Sequence, residues 1–418
     1  MLHIAPDNIE AATGRLLPCR AVEEDQVVSN NFRFTKGDVL YTKLRPYLNK
    51  VVVAPFDGLC SSDVLPIRAH INASYLRYWM LSPRFLSQVI PRQTGVTLPR
   101  VSRKALAETF VPVAPLPEQR RIVEVIESNF ARLDAAIVTL RRAEERLARY
   151  PSYILHQSME INPSSNPGNG LSSTEAWRAD WPGSTMGDIL REPLRNGITT
   201  RPTSHDTGVR TLTLTAVTSG DFSIKNTKPC GVPQEDAEGL WLKSGDILVE
   251  RSNTRELVGT SALYRGPERF AIYPDMVIRA RVRESASPEF ITYVLKSPLA
   301  RRYFQAKAKG VAGNMPKIDQ PTILDLPVPL PSLKIQLSVV ERIEYLLSAA
   351  KYVEREVEGT LERCASLRQS ILKIAFEGRL VPQDPLDEPA SALLERIKHE
   401  RSPPSQPMMR RRRSATAS

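Results

Sequence analysis

The side chains that most often perform catalysis or hold metals are scattered along this sequence. Histidine occurs at only five positions, which lie far apart: His3, His70, His156, His205 and His399. Cysteine occurs at four, without a C-x-x-C pair: Cys19, Cys60, Cys230 and Cys364. These spacings indicate neither a catalytic triad nor a metal site, and they suggest no disulfide framework.

Motifs for nucleotide-dependent chemistry are missing as well. The sequence has no G-x-x-x-x-G-K-[ST] phosphate loop, so an ATP motor is not indicated. It has no Asn/Asp-Pro-Pro-Tyr/Phe quartet of the kind that holds a flipped adenine for methyl transfer. Pro274-Asp275 could begin a nuclease motif, but a similar strand carries Asp63, which favours a structural role. By exclusion, the sequence predicts a binding protein rather than an enzyme.

The charge of the chain favours nucleic acid as a partner. Its 418 residues carry a formal net charge of +11, and the isoelectric point is about 9.5. Much of this excess lies in two globular stretches, whereas the long helical stretches described next are close to neutral. A basic surface attracts phosphates but does not by itself prove that nucleic acid binds.

Two stretches, 118–157 and 338–378, show the heptad spacing of a coiled coil, with apolar residues alternating at steps of three and four. We predict that they form long helices that pair antiparallel within the chain. The alternative is two unrelated coiled coils that each bind another protein. The predicted seam consists of Ile122, Ile126, Leu133, Leu140, Leu147, Val339, Ile343, Leu346, Val353, Val357, Leu367 and Ile371.

The sequence before each long helix repeats. Lys243–Leu248 resembles Thr35–Leu40, and Met315–Ile318 resembles Leu98–Val101, with the latter pair at the same spacing as the two helices. The repeat predicts the order domain–helix–domain–helix and an α+β fold. Buried strands are expected near Val39 and Lys50, and a further strand at 110–113. Residues 162–173 are expected to form a linker.

Two segments resemble the DNA specificity subunit of type I restriction-modification systems. Residues 367–385 (LRQSILKIAFEGRLVPQDP) resemble the distal conserved region of that family, and residues 116–123 (LPEQRRIV) resemble the entry into its central conserved helix. The resemblance extends over nearly the whole chain up to about His399.

The resemblance implies an organisation and a set of partners. It implies target recognition domains at 1–116 and 161–333, conserved helices at 117–160 and 334–380, and a largely disordered tail at 381–418 with a short helix near 389–400. The implied role is to read a bipartite, asymmetric site on double-stranded DNA while docking two methyltransferase and two motor-nuclease subunits. S-adenosylmethionine, ATP and magnesium are then expected only in those partners, and the protein is expected to be cytoplasmic and not membrane-bound.

Candidate DNA contacts are basic and amide side chains on the loops after the repeated strands. Arginine suits guanine and asparagine suits adenine in the major groove, although any one of these residues could instead be ordinary surface charge. We expect Arg100 and Lys317 to be the best candidates, because both repeats keep a cation there beside a glycine loop. The full set is Lys43, Arg45, Gln93, Arg100, Arg251, Asn253, Arg255, Asn314 and Lys317.

The first domain is shorter than the second. Met1 is expected to begin inside the repeat, with Leu2–Ile4 corresponding to a strand near Arg210–Leu214. A misassigned start, a truncated gene and a naturally short version remain open. The competing functions are accordingly a truncated or inactive specificity subunit and a coiled-coil protein scaffold.

Overall fold

The computed structural model describes residues 1–22, 24, 31–159, 180–199, 208–310 and 315–401. It forms two compact units: unit 1 is Met1–Arg141 with Glu358–Ser418, and unit 2 is Arg142–Val357. The predicted linker at 162–173, the candidate Asn314 and the chain beyond 401 lie outside the described residues. Each unit contains one end of each of two long helices.

Unit 1 opens with short strands followed by three short helices. The strands form two three-stranded sheets, in the orders β1-β5-β2 and β4-β3-β6. All pairs are antiparallel except β1 with β5. The elements are β1 His3–Ile4, β2 Asn31–Phe34, β3 Val39–Thr42, β4 Val51–Val53, β5 Gly58–Ser61, β6 Val64–Ile67, α1 Ala73–Met80, α2 Pro83–Val89 and α3 Arg103–Ala107.

The central strand of unit 1 reads as a continuous buried run because both faces of β3 are covered. Helices α1 and α2 meet at Ser82-Pro83. The Ser82 side chain accepts a hydrogen bond from the Phe85 N–H, and Pro83 occupies the first turn of α2. Proline fits a helix start because its missing N–H would have no intrahelical acceptor there. The dipeptide therefore ends α1 and begins α2.

Unit 2 contains eight strands and parts of both long helices among its described residues. Its main sheet has the order β12-β11-β13-β8, and two further strand pairs are β10-β9 and β14-β7. In chain order the remaining elements are α4 Leu116–Met159, β7 Gly183–Thr185, β8 Arg195–Asn196, β9 Arg210–Leu212, α5 Leu214–Ser219, β10 Thr227–Pro229, β11 Ile247–Glu250, β12 Ser261–Leu263, β13 Val277–Ala280, α6 Pro288–Lys296, α7 Pro298–Lys307, α8 Gln320–Leu324, β14 Pro327–Pro329, α9 Leu333–Ala375 and, back in unit 1, α10 Ala390–Arg401.

The repeat is visible in the strand register. In unit 1 the partner of Val39 is Ile67, and in unit 2 the partner of Ile247 is Ala280. This pairing makes Met276, not Asp275, the counterpart of Asp63. The match of Asp63 with Asp275 expected from sequence is therefore off by one residue, a slip that reverses which face of the sheet a side chain takes.

The two long helices pack against each other with opposite directions, which confirms the predicted antiparallel pairing. In unit 1 the core joins Ile122 and Ile126, near the start of α4, to Leu372 and Ala375 at the end of α9. In unit 2 the core joins Ile154, near the end of α4, to Ile343 near the start of α9.

Burial along the seam is uneven. Ile122, Ile126, Ile343 and Val357 are buried, and a second group is partly buried: Leu133, Leu140, Leu147, Val339, Leu346 and Ile371. Val353 and Leu367 are 45% and 50% exposed, which departs from the predicted seam.

The reason for this departure is the helical period. A 3.6-residue helix drifts by about 20° per heptad relative to a strict seven-residue repeat, so neighbouring positions move into the interface. In unit 1 the residue after Leu367 does so. The Arg368 side chain lies over the Phe130 ring, 4.7 Å from its centroid, and pairs with Asp134.

The predicted strand at 110–113 is wrong. These residues have no strand assignment, whereas their counterparts in unit 2, Pro327–Pro329, form β14. A strand needs a hydrogen-bonded neighbour, and β14 obtains one from β7. The sequence pattern was the same in both repeats, so the difference comes from the partner.

In each unit, one buried glutamine connects the start of a short helix, α1 or α6, to the start of a long helix, α4 or α9. In unit 1 the Gln119 side chain accepts from the Asn72 N–H at 3.0 Å and donates to the Ala114 carbonyl at 2.7 Å. In unit 2 Gln336 accepts from the Ser287 N–H at 2.8 Å and donates to the Pro331 carbonyl at 2.8 Å. Both side chains are fully buried, so each fixes the orientation of its own sheet domain on its helix.

Among the described residues, no helix is long and apolar enough to cross a membrane.

Candidate nucleic-acid interface

In unit 1, two distant segments come together at the end of β3. The Arg45 N–H donates to the Pro99 carbonyl at 2.7 Å, and the Val101 N–H donates to the Lys43 carbonyl at 3.0 Å. This pairing extends β3 beyond Thr42 and places the predicted contacts Lys43, Arg45 and Arg100 on adjacent backbone positions.

The segment that carries Arg100 is a tight hairpin. Thr94 and Arg100 exchange two backbone hydrogen bonds, both of 2.8 Å. Gly95 follows Thr94 with φ +91°, a conformation that L-residues with a side chain rarely adopt. The sequence pointed to this loop because a glycine lies near Arg100. The turn itself requires that glycine.

A single carboxylate lies between two of the cations. Lys43 Nζ is 3.7 Å and an Arg100 terminal nitrogen 3.4 Å from the Asp63 carboxylate oxygens. Arg45 is exposed and has a left-handed backbone, φ 49°. The Gln93 Oε1 atom is buried without a hydrogen-bond partner. Because the three cations of this surface outnumber the one carboxylate that two of them share, the surface keeps a positive charge that suits phosphate.

Unit 2 builds the same junction from the second repeat. The Ile318 N–H donates to the Arg251 carbonyl at 2.8 Å, and Lys309 and Lys317 exchange two backbone hydrogen bonds of 2.9 Å. These bonds match those of Val101 with Lys43 and of Thr94 with Arg100. Lys317 therefore occupies the position of Arg100, and Arg251 that of Lys43.

A cleft of about 700 Å³ opens at this junction, and it is lined by both polar and apolar atoms. The Arg251 Nε is buried and has no hydrogen-bond partner. A buried guanidinium nitrogen without an acceptor can donate to an incoming phosphate or base edge. The lining includes Arg251, Ser252, Asp275, Lys309, Gly310 and Lys317.

Two predicted contacts of unit 2 do not line this cleft. The Asn253 side-chain amide donates to Glu250 at 2.6 Å, and its oxygen accepts from the Thr254 N–H at 2.8 Å. Arg255 is exposed and reaches the Gln305 carbonyl at 3.4 Å. Both ends of the Asn253 amide are therefore engaged within the unit. Asn314 lies outside the described residues.

The buried carboxyl group of Glu250 lies next to the cleft arginine in the chain and anchors its backbone. Glu250 is fully buried and accepts hydrogen bonds from the Thr218 hydroxyl and the Asn253 amide, both at 2.6 Å. Burial raises the pKa of Glu250, against the opposing effect of these hydrogen bonds. Because Glu250 directly precedes Arg251, its bonds hold the backbone from which the cleft arginine projects.

Lys309 was missed by the sequence reasoning. It pairs across the hairpin from Lys317 and is 83% exposed, with its Nζ 3.5 Å from Asp319. Lys309-Gly310 corresponds to Thr94-Gly95, so alignment of the two glycines would have exposed this cation. The first unit has threonine at that position, so a comparison limited to cations that both repeats share does not include Lys309.

Among the described residues, no group of three His, Cys, Asp or Glu side chains could hold a metal ion. Each unit instead has its own junction, with cations on a hairpin next to a strand end.

No family model matches this chain. Three relatives are specificity subunits of type I restriction enzymes. The EcoDI subunit of Escherichia coli is 34% identical over 187 residues, which is 45% of this chain and 40% of the relative. The EcoKI subunit of E. coli strain K12 is 28% identical, covering 83% and 75%, and the StySPI subunit of Salmonella potsdam is 25% identical, covering 79% and 72%.

Solved structures support the fold. A structure described as showing complex assembly and conformational transition of the type I R-M system matches with a TM-score of 0.70 and 19% identity, over 91% of this chain and 92% of that chain. The HsdS subunit from Thermoanaerobacter tengcongensis matches with a TM-score of 0.58 and 19% identity, over 91% and 90%. The fold is therefore that of two sheet domains carried on two long helices. The EcoDI, EcoKI and StySPI proteins that this chain is similar to are type I specificity subunits, which confirms the resemblance.

Proposed function

We propose that this chain is the non-catalytic DNA specificity subunit of a type I restriction-modification complex, in which each unit reads one half of a bipartite, asymmetric site. The observation that carries the proposal is the repeated hairpin junction, which presents Arg100 in unit 1 and Lys317 in unit 2 from the same backbone position. The relatives, all of them specificity subunits, support the same role.

The chemistry of each junction suits both parts of DNA recognition. Lysine and arginine side chains bind phosphates and release counterions, which provides affinity that falls with salt. Arginine can also form two hydrogen bonds to guanine in the major groove, which provides sequence preference. Arg45, Arg100 and Lys317 are exposed, so they are available to a duplex without unfolding of the unit.

The proposal includes two methyltransferase and two motor-nuclease subunits as partners. Large apolar side chains on the exposed face of α9 support helix docking: Leu337, Tyr345 and Tyr352 are 52%, 72% and 61% exposed. Aromatic residues of this kind are enriched at protein interfaces. S-adenosylmethionine, ATP and magnesium would belong to those partners.

The test is to co-express the chain with its cognate methyltransferase and map modified adenines across a genome by single-molecule sequencing. Modification within one bipartite motif would support the proposal for both units. A motif with only one defined half would restrict reading to one unit, and co-purification without modification would favour an inactive specificity subunit. Failure of the two proteins to associate would overturn the proposal.

A DNA-binding measurement separates the proposal from the alternative of a protein scaffold. For a specificity subunit, the logarithm of the binding constant for the bipartite site should fall linearly with the logarithm of the salt concentration. The subunit should also prefer that site to a scrambled duplex of equal length. A scaffold with incidental basic charge would bind both duplexes equally.

A further inference from the structure

In unit 2 an extended segment covers one edge of the main sheet. This opening segment, residues 181–196, ends in β8, in which Arg195 and Asn196 pair with Arg279 and Ile278 of β13. Farther back, the Arg191 N–H donates to the Arg281 carbonyl at 2.8 Å, and the Ile189 carbonyl accepts from the Arg283 N–H at 2.9 Å.

The same segment also covers a second edge. Its strand β7 pairs with β14, and the Met186 N–H donates to the Leu326 carbonyl at 2.9 Å. Trp181, Met186 and Ile189 are buried in the main core of unit 2. The opening segment thus contributes both backbone pairing and apolar side chains.

A carboxylate of the opening segment completes an ion-pair network. Glu192 lies 2.8 Å from Arg279 and 3.1 Å from Arg281, and Arg281 also pairs with Asp246 at 2.5 Å. The Arg281 side chain is only 12% exposed. A charge buried to this extent requires its partners, because removing one leaves it uncompensated.

In unit 1 the corresponding positions are open among the described residues. Strand β6, the counterpart of β13, is an edge strand, and residues 110–112 form no strand. The first strand of the chain lies elsewhere, since β1 pairs with β5. A groove of about 420 Å³ remains, lined mostly by apolar atoms that include those of Ile67, Ala69, Leu106, Val111, Val113 and Ile397.

The groove in unit 1 corresponds in position to the site of the opening segment in unit 2. Ala107 and Thr109 line the groove, and their counterparts Leu324 and Leu326 contact the opening segment at Gly187 and Met186. Arg68 also lines the groove. Its counterpart is Arg281, but the Arg68 side chain is 75% exposed and lies 3.8 Å from Asp38.

We propose that this groove of unit 1 binds an extended polypeptide segment with the chemistry of the opening segment. The segment would pair with the free edge of β6, insert apolar side chains at the positions of Met186 and Ile189, and place a carboxylate beside Arg68 as Glu192 stands beside Arg281. Addition of a strand to a free edge provides affinity through the backbone, while the apolar and acidic side chains provide specificity.

Helix α10 lies at the margin of this groove and competes for part of it. Ile397 contributes to the lining, and His70 Nδ1 is 3.3 Å from the Glu400 carboxylate. Both contacts involve exposed or half-exposed groups. A segment that pairs with the whole length of β6 would therefore displace them.

The test uses a fluorescent peptide of residues 181–196 (WPGSTMGDILREPLRN), capped at both ends, titrated with the full-length chain. We expect saturable binding at one site per chain. Unit 2 holds its own segment covalently, at an effective concentration in the millimolar range, so the added peptide should not displace it. A peptide with Ile189→Asp is the matched control and should bind at least about tenfold more weakly, because it places a charge in an apolar groove.

A charge exchange locates the site without disturbing the core. Arg68→Glu changes an exposed side chain and should weaken the peptide by about three- to tenfold, and a Glu192→Lys peptide should recover that loss on the variant chain. A photo-reactive group at peptide position 190 should cross-link to residues 67–71.

Cross-linking within unit 2, or an equal effect of Arg68→Glu on both peptides, would overturn the proposal. An Ile397→Asp chain, in which α10 is loosened, should bind the peptide more tightly than the native chain. Absence of binding to both chains would show that α10 itself is the occupant of the groove and would also overturn the proposal.

Discussion

At the scale of single residues, Glu250 predicts a pH dependence of stability. Its pKa is raised by burial, so the folded state retains the proton to higher pH than the unfolded state does. Stability from this group is therefore fully present below the unfolded pKa of about 4.3 and is lost as pH rises through the folded pKa.

Replacement of Glu250 by glutamine should remove this dependence. The glutamine can accept from Asn253 and donate to the Thr218 hydroxyl, so the hydrogen bonds are kept without a buried charge. We expect Glu250→Gln to stabilise unit 2 by about 1 kcal/mol at pH 8 and to have little effect near pH 4. Urea unfolding at both pH values measures this. A variant destabilised at pH 8 but not near pH 4 would instead show that the carboxylate is needed in its charged form.

Arg100 predicts a specific loss of DNA affinity. Arg100→Ala should weaken binding to the bipartite site by about 1–3 kcal/mol if the side chain contacts a base. If the contact is to a phosphate, the variant should reduce by about one the slope of the logarithm of the binding constant against the logarithm of salt concentration. Arg84→Ala is a matched control in the same unit, because Arg84 is 52% exposed against 51% for Arg100 and also pairs with one carboxylate. Equal losses for the two variants would contradict a specific role.

The sequence predicted which positions of the two repeats are equivalent better than it predicted how individual side chains are oriented. Arg100 and Lys317 could be paired because each follows a glycine loop and a proline, and the backbone hydrogen bonds place them at equivalent positions. The inward orientation of Asn253 could not be predicted, because its acceptor Glu250 and the Thr218 hydroxyl meet only in the folded unit.

At the scale of elements, the buried glutamines predict local opening of one unit at a time. Gln336→Ala leaves the Ser287 N–H and the Pro331 carbonyl without their partner, a cost of about 1–3 kcal/mol. Faster hydrogen exchange is expected at the amides of α6 and not at those of α1, and Gln119→Ala should reverse this pattern. Gln157→Ala, on the exposed surface of α4, is the control. Exchange that rises equally in both units would contradict separate anchoring.

The long helices were the most predictable elements and the edge strands the least. The helix bounds of 116–159 and 333–375 follow from an apolar repeat that is local in sequence. The strand expected at 110–113 failed because its formation depends on a neighbour far away in the chain. Unit 2 has that neighbour in Gly183–Thr185, which pairs with Pro327–Pro329. Local pattern thus predicts a helix, whose hydrogen bonds are internal, better than a strand.

At the scale of the whole molecule, the repeat predicts that recognition is divided between the two units. If each junction reads its own half of the site, then loss of one cation should affect one half only. Arg100→Ala should relax the bases of one half-site in the methylation motif, and Lys317→Ala those of the other, while the spacer length stays unchanged.

The two single variants and the double variant, each co-expressed with the methyltransferase, make this prediction quantitative. Because the two junctions belong to separate compact units, their effects on binding free energy should add to within about 0.5 kcal/mol. If either variant changed the spacer length, these side chains would help to set the distance between the two half-sites rather than read bases. Relaxation of both halves by one variant would mean that a single composite surface, rather than two repeated ones, reads the DNA.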